Sequence, residues 1–139
     1  MSLARTLSPV VASLLVVSGC GAPTDAGPYR VISSIDSPSA LGSPDSVASA
    51  SPFAVTVFTT RGACSSSDGA SAETVGFVAD VTVYDLDPPR GTICILREDG
   101  VERSVQLMFT TPGTGVIRLH VRTMEGKIVV VERAVTVLP

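Results

Sequence analysis

The sequence contains no tryptophan, a single histidine and three cysteines, and only 17% of its residues are charged. A zinc site needs several His, Cys or carboxylate ligands at short spacing, and one histidine without a Cys-x-x-Cys motif argues against such a site. No Gly-x-Ser-x-Gly turn is present to position a serine nucleophile. We therefore expect no metal, no cofactor and no catalytic residues, and the sequence indicates a protein that is not an enzyme.

Positive charge is also scarce. The chain has 10 Lys and Arg against 13 Asp and Glu, its formal net charge is −3, and it contains no run of basic residues. Nucleic acids and anionic lipid headgroups are bound by clustered positive charge. We expect no nucleic-acid partner and no electrostatic docking onto a membrane.

Residues 1–19 have the organisation of a secretory signal. Arg5 and the amino terminus supply positive charge, and residues 7–17 form an apolar segment. This segment is shorter than the roughly 20 apolar residues that span a bilayer, so it favours a cleaved signal peptide over a membrane-spanning helix.

The end of this signal, Val17-Ser18-Gly19-Cys20, resembles the bacterial lipobox. The resemblance implies cleavage before Cys20, transfer of diacylglycerol to its thiol, and acylation of the new amino terminus. Cys20 is thus the predicted lipidation site, and lipid is the predicted contact with a membrane of the cell envelope. In such proteins an Asp after the cysteine favours the inner membrane, so Gly21 favours the outer one. The alternative is an ordinary secretory signal with an incidental cysteine.

Cys64 and Cys94 remain once Cys20 is assigned to the lipid. An even pair of cysteines in an exported protein predicts a disulfide. This bond would close a loop of about 30 residues and stabilise the fold by roughly 3–4 kcal/mol through chain entropy. Two free thiols or a metal pair are the alternatives.

Residues 20–43 are rich in Ser, Pro, Gly and Ala and offer little apolar surface to offset the entropy lost on ordering. After the lipidated cysteine they are predicted to be a flexible tether. Within this segment, residues 29–35 could instead form an edge strand. The folded domain is predicted to span residues 44–139.

From Phe53 onward, apolar residues recur at every second position, the period of half-buried strands. Strands are expected near residues 53–58, 75–84, 92–96, 105–109, 117–121 and 128–137, with a loop at 61–72. Asp99-Gly100 suits a hairpin turn, and uneven alternation at Arg133 indicates a bulge or a change of facing. The predicted core consists of Phe53, Val55, Val57, Phe77, Val81, Val83, Val105, Leu107, Phe109, Ile117, Leu119, Val121, Val135 and Val137.

About seven strands without a helical period predict an all-β fold, an antiparallel β-sandwich, with a barrel as the alternative. The missing tryptophan departs from antibody domains, where it packs on the inter-sheet disulfide. One further pattern concerns the order of short motifs: Gly62-Ala63-Cys64, Tyr84-Asp85, Cys94, Gln106-Leu107-Met108-Phe109 and Glu132-Arg133. This order resembles that of immunoglobulin-like domains in small bacterial lipoproteins. The resemblance implies an immunoglobulin-like sandwich in the envelope and brings no activity with it.

His120 is predicted on the solvent face of a strand together with Arg118 and Arg122. These three side chains could form a small anion-binding patch, or they could be an ordinary surface ladder.

Three aspartates, Asp80, Asp85 and Asp87, could offer oxygen ligands to Ca²⁺. They lack the dense spacing of a dedicated calcium loop, so we expect them to lie in a solvated turn.

Two functions fit these observations. The first is a lipid-anchored, non-catalytic envelope module that binds a protein or glycan or has a structural role. The second is an accessory or inhibitor subunit of an envelope enzyme, acting through the segments 61–72 or 85–91.

Overall fold

The computed structural model describes residues 27–95 and 98–139. The predicted signal peptide and Cys20 lie outside these residues. Of the described residues, 66% lie in strands and none lies in an α-helix, so the all-β prediction is confirmed. In this part of the chain, no helix is long and apolar enough to cross a bilayer.

Within residues 27–95 and 98–139, ten strands form one curled sheet, accompanied by a short 3₁₀ helix at Pro38–Ala40. The strands are β1 (Tyr29–Ile32), β2 (Ser34–Ile35), β3 (Leu41–Gly42), β4 (Ser46–Ala48), β5 (Phe53–Gly62), β6 (Ser66–Val75), β7 (Val78–Asp87), β8 (Glu98–Leu107), β9 (Gly113–Thr123) and β10 (Ile128–Leu138).

The sheet curls around a single apolar cluster. One group of strands is built on β5, which pairs with β8, β2 and β3. The other group runs from β6 through β7 and β9 to β10 and β4, with β1 also on β7. Most pairs are antiparallel, but β2–β9, β4–β10 and β7–β9 are parallel. The described sheet therefore has more strands than the seven expected, and a mixed pairing.

Residues 29–42, assigned to the tether from their composition, contribute β1, β2, the 3₁₀ helix and β3. Their few apolar side chains are placed where they can be buried, since Ile35, Ala40 and Leu41 all lie in the core. Residues 29–35 form two strands separated by Ser33. The folded part of the chain thus extends at least to Tyr29, ahead of the boundary expected at residue 44.

The backbone of Ser33 connects β7 and β9 at the point where these two strands diverge. β7 and β9 pair only up to Thr82 and His120. Beyond that point the Ser33 N–H donates to the Val83 carbonyl at 2.9 Å, and the Ser33 carbonyl accepts from the Arg122 N–H at 3.0 Å. The next residue, Ser34, pairs with β9 and with β5. A two-residue segment therefore closes the sheet between its two groups of strands.

Most of the predicted core is buried, and Phe109, Ile117 and Leu119 are its largest fully buried side chains. Phe53 is partly buried and stacks on Phe109 with ring centroids 5.8 Å apart. Phe77 is the exception, because it lies in the turn between β6 and β7 and is 44% exposed. The prediction that Phe77 belongs to the core is wrong.

Several local predictions are also corrected. β6 occupies most of the expected 61–72 loop, and Asp99-Gly100 lies inside β8 rather than in a turn. Residues 92–95 are not in a strand. β10 has no bulge at Arg133, because its register with β9 is continuous from Ile128 to Val137. Arg133 shares the inward face of β10, and its guanidinium reaches Asp45 at 3.2 Å.

A buried ion pair connects β8 with β7 across the interior. Arg103 and Asp85 form a direct salt bridge, and their side chains are only 9% and 4% exposed. The guanidinium also donates to the Tyr84 carbonyl at 2.6 Å and to the Thr59 hydroxyl at 3.2 Å. Each polar group of this network therefore has a partner, as buried charges require.

Phe109 packs against a glycine on the neighbouring strand. A Cβ added at Gly115 would lie 2.8 Å from two atoms of the Phe109 ring, which is fully buried and held by Phe53. Gly115 is therefore required by the close approach of the aromatic ring.

We predict that Arg103→Met destabilises the protein by about 3–5 kcal/mol, because Asp85 is left buried without its counter-charge. Urea unfolding measures this loss. Arg118→Met is the matched control, since its exposed pair with Glu132 should contribute at most about 1 kcal/mol. Adding Asp85→Leu to Arg103→Met should recover much of the stability; equal losses in Arg103→Met and Arg118→Met would contradict a buried pair.

We also predict that Gly115→Ala lowers the free energy of unfolding by about 1–3 kcal/mol through overpacking against Phe109. Gly100→Ala in β8 is the control, because a Cβ there meets nothing within 4 Å. Thermal unfolding of both variants checks the prediction. An unchanged melting temperature for Gly115→Ala would show that the Phe109 ring moves away freely.

Candidate functional site

The backbone N–H and C=O groups of β10 point alternately towards β9 and away from it. The N–H of Thr136 donates to the Asp45 carbonyl at 2.9 Å, and the carbonyl of Leu138 accepts from the Ser49 N–H at 2.8 Å. The even-numbered residues of β10 therefore direct their backbone groups away from β9. Since the register with β9 has no bulge, this alternation holds along the strand.

One half of this outer edge is open. β4 pairs with β10 only from Thr136 to Leu138. Ile128, Val130 and Glu132 direct their N–H and C=O groups to the same side, and within residues 27–95 and 98–139 no strand pairs with them there. The side chains of Ile128 and Val130 are about half exposed. Residues 128–132 thus present an apolar strand edge, which we call the β10 edge.

The other edges of the described sheet are short or polar. β6 pairs only with β7, is almost wholly exposed, consists mainly of Ser, Ala, Gly and acidic residues, and carries a register shift between Ser67 and Ala70. β8 pairs only with β5 and exposes Glu98, Glu102 and Gln106. Charges, bulges and short strands are the usual means of protecting edges from unwanted pairing. The β10 edge begins with four consecutive β-branched residues, 128–131, carries a charge only at Glu132, and has no bulge in its register with β9.

An apolar groove with a volume of about 530 Å³ lies beside the β10 edge. One wall is the segment from Ile35 to Pro38, which leaves β2. The other wall contains Val129 and Val131, whose side chains pack against the core. A chain paired with β10 could therefore direct alternate side chains into the groove.

The groove carries negative charge. Asp36, Glu125 and Glu132 line it, and none of the described lining residues is Lys or Arg. A hydrogen bond from the Thr123 side chain, together with the Glu125 backbone N–H, lowers the pKa of Glu125, which is therefore ionised at neutral pH. Glu132 also pairs with Arg118 at 3.0 Å, so Asp36 and Glu125 supply the net negative charge.

The disulfide between Cys64 and Cys94 is confirmed. It joins the turn between β5 and β6 to the segment that follows β7. A second cavity, of about 440 Å³, lies at this end of the sheet. Its charged lining mixes both signs, so it offers no field of one sign to an ionic ligand. The basic residues are Arg61, Arg90 and Arg122, and the acidic residues are Asp85, Asp87 and Glu98.

The predicted anion patch is not assembled, because each of its members has a separate partner. His120 Nε2 lies 2.8 Å from Asp80 Oδ1. Arg118 pairs with Glu132, and Arg122 Nε donates to the Ser34 hydroxyl at 3.2 Å.

The three aspartates are likewise held apart. Asp80 bonds to His120, Asp85 to Arg103, and Asp87 accepts from the Ser65 hydroxyl at 2.7 Å. Across the described residues, no three His, Cys, Asp or Glu are grouped to hold a metal ion. The expectation of a turn is wrong for all three, since they lie in β7, and Asp85 is in addition buried with Arg103.

Sequence reasoning predicted a strand at 128–137 but did not identify its edge as a site. Which strand covers an edge is decided by distant parts of the chain, here by β4. The available signal was the run of four β-branched residues at 128–131 without a charge among them.

The chain matches no protein-family model, and it is similar to no curated protein and to no solved structure.

Proposed function

We propose that this chain is a lipid-anchored bacterial envelope lipoprotein whose β domain binds an extended segment of a protein partner along the β10 edge. The observation that carries the binding role is the row of outward backbone groups of Ile128, Val130 and Glu132 beside an apolar groove. A peptide added to a sheet edge gains main-chain hydrogen bonds, and its alternate side chains fill adjacent pockets. A glycan has no peptide backbone with which to continue the sheet, so a protein partner fits better.

The groove also indicates the composition of the partner. Val129 and Val131 favour apolar side chains on the inward face of the added strand. Asp36 and Glu125 favour basic side chains near them, since opposite charges across an interface select the correct partner. The proposed ligand is therefore an extended segment in which apolar and basic residues alternate.

An immunoglobulin-like relationship is part of this proposal. It is supported by two groups of strands around one core and by the antiparallel pairs β5–β8 and β9–β10. The parallel pairing of β7 with β9 and the ten strands distinguish the domain from the seven-strand pattern.

The envelope location rests on the lipobox-like residues that end at Cys20. The charge composition and the absence of recognisable catalytic motifs support a non-catalytic module. The alternative of an accessory or inhibitor subunit relied on loops at 61–72 and 85–91. Most of the first segment is in β5 and β6, and Asp85 is buried in β7, so only residues 63–65 and 88–91 of the two segments lie outside strands for that role.

We predict that Val130→Pro lowers the affinity for a short peptide of alternating lysine and valine by about tenfold or more, since it removes one outward N–H donor. Proline is tolerated on a strand edge where the N–H faces solvent, so the fold should persist. Isothermal titration of the full chain with this peptide measures the effect.

Three controls make this experiment decisive. Val130→Ala keeps the N–H and should bind nearly as well as the native chain. Val131→Pro removes an N–H directed towards β9 and should lower the melting temperature. A peptide of alternating glutamate and valine should bind more weakly than the lysine peptide. Equal binding by Val130→Ala and Val130→Pro would exclude strand addition at this edge.

We predict that Cys20→Ser abolishes incorporation of a fatty-acid analogue and leaves the chain as an uncleaved precursor or a released soluble form. The reason is that the thiol is the predicted acceptor of diacylglycerol. Metabolic labelling followed by fractionation of membranes checks it, with Cys94→Ser as a control that should keep the label. Equal labelling of the native chain and Cys20→Ser would disprove the anchor.

A further inference from the structure

Two isoleucines are fully presented to solvent at one end of the sheet. Ile93 is 98% exposed and Ile95 is 80% exposed, the highest values among the large apolar side chains that the structure describes. They flank Cys94 in the segment 88–95, which we call the isoleucine loop. Large apolar side chains grouped on a surface indicate an interaction site.

The isoleucine loop is held in this shape. Cys94 is bonded to Cys64 in the turn between β5 and β6. At the start of the loop, Thr92 donates both its N–H and its hydroxyl to the Pro89 carbonyl, at 3.1 and 2.7 Å. The Thr92 bonds hold the backbone just before Ile93, and the disulfide holds Cys94 between the two exposed isoleucines.

The amino-terminal end of the described chain lies beside this loop. Tyr29 pairs with Asp87, the last residue of β7, and the isoleucine loop begins directly after it. Tyr29 and Met124, both about half exposed, line the same cavity as residues 88–92. Gly27 lies seven positions after Cys20. A chain of that length spans at most about 25 Å, so lipid on Cys20 would keep this end of the domain close to the bilayer.

We propose that the isoleucine loop inserts Ile93 and Ile95 into the lipid bilayer to which Cys20 is anchored, giving the domain a second membrane contact and a fixed orientation. This inference rests on the proposed lipid anchor. The three arginines of the cavity at this end are matched in number by three acidic residues, so the contact is apolar and should not require anionic lipid.

The test uses tryptophan fluorescence, because the chain has no tryptophan of its own. Ile93→Trp places one indole in the loop. Val75→Trp is the matched control: Val75 is 69% exposed and lies next to the turn at the opposite end of β7, roughly 30 Å away along the strand. Both variants are expressed with the full signal, purified as mature protein, and reconstituted in phosphatidylcholine vesicles with and without brominated acyl chains. Intact mass reports whether Cys20 carries lipid.

In lipidated protein, we expect bromine to quench the Ile93→Trp emission and the vesicles to shift that emission to shorter wavelength, whereas Val75→Trp should change in neither respect. Since phosphatidylcholine carries no net charge, this quenching would occur without anionic lipid. Both substituted positions are exposed, so equal melting temperatures should show that the fold is retained.

Equal quenching of the two variants, or quenching of neither, in protein that carries lipid would overturn the loop contact and leave the anchor intact. Protein whose mass shows no lipid on Cys20 would overturn the anchor and, with it, the orientation argued here. A blue shift that depends on protein concentration, without quenching by bromine, would instead assign the loop to contact between copies of the chain and reject the bilayer.

Discussion

The fold depends on two backbone hydrogen bonds of Ser33. β7 and β9 separate after Thr82 and His120, and without a third strand their ladder groups would be left unpaired beside the core. The Ser33 N–H bonds to β7 and the Ser33 carbonyl bonds to β9, and Ser34 then pairs with β5. Buried backbone groups must be paired. A segment with the composition of a tether is therefore ordered less by its own side chains than by the backbone groups that β7 and β9 leave free.

The open edge of β10 follows from the same route of the chain. After β2, the chain passes through the 3₁₀ helix and β3, which pairs with β5, and crosses to β10 only at β4. β4 pairs only with the carboxyl-terminal end of β10. Residues 136–138 are therefore covered, and residues 128–132 have no partner strand among the described residues. The segment from Ile35 to Pro38 passes close enough to form one wall of the groove. A strand edge and an apolar wall are thus placed side by side by one connection.

The sequence predicted those features that depend on local alternation. β5, β7, β9 and β10 and most of the core follow from the two-residue period, because each strand has one buried face. β6 was missed because its Ser, Gly and Ala side chains bury nothing and show no period. Phe77 was misplaced because an apolar residue in a turn resembles one in a strand. The ion pair of Asp85 with Arg103 and the open β10 edge depend on which strands meet, and pairing between distant segments leaves no local pattern to detect.

The proposed lipid anchor and the isoleucine loop complement each other energetically. Two isoleucine side chains entering a bilayer would contribute roughly 3–6 kcal/mol, a weak partitioning for a free protein. When a lipid already holds the chain at the surface, the loop meets the bilayer at a high effective concentration, and the same weak contact is enough to orient the domain. A cluster of basic residues is then unnecessary, which agrees with the net charge of −3. Because the isoleucine loop and Tyr29 lie at the same end of the domain, the loop and the lipid on Cys20 can contact the bilayer together. The sheet faces and the β10 edge then remain available to a partner.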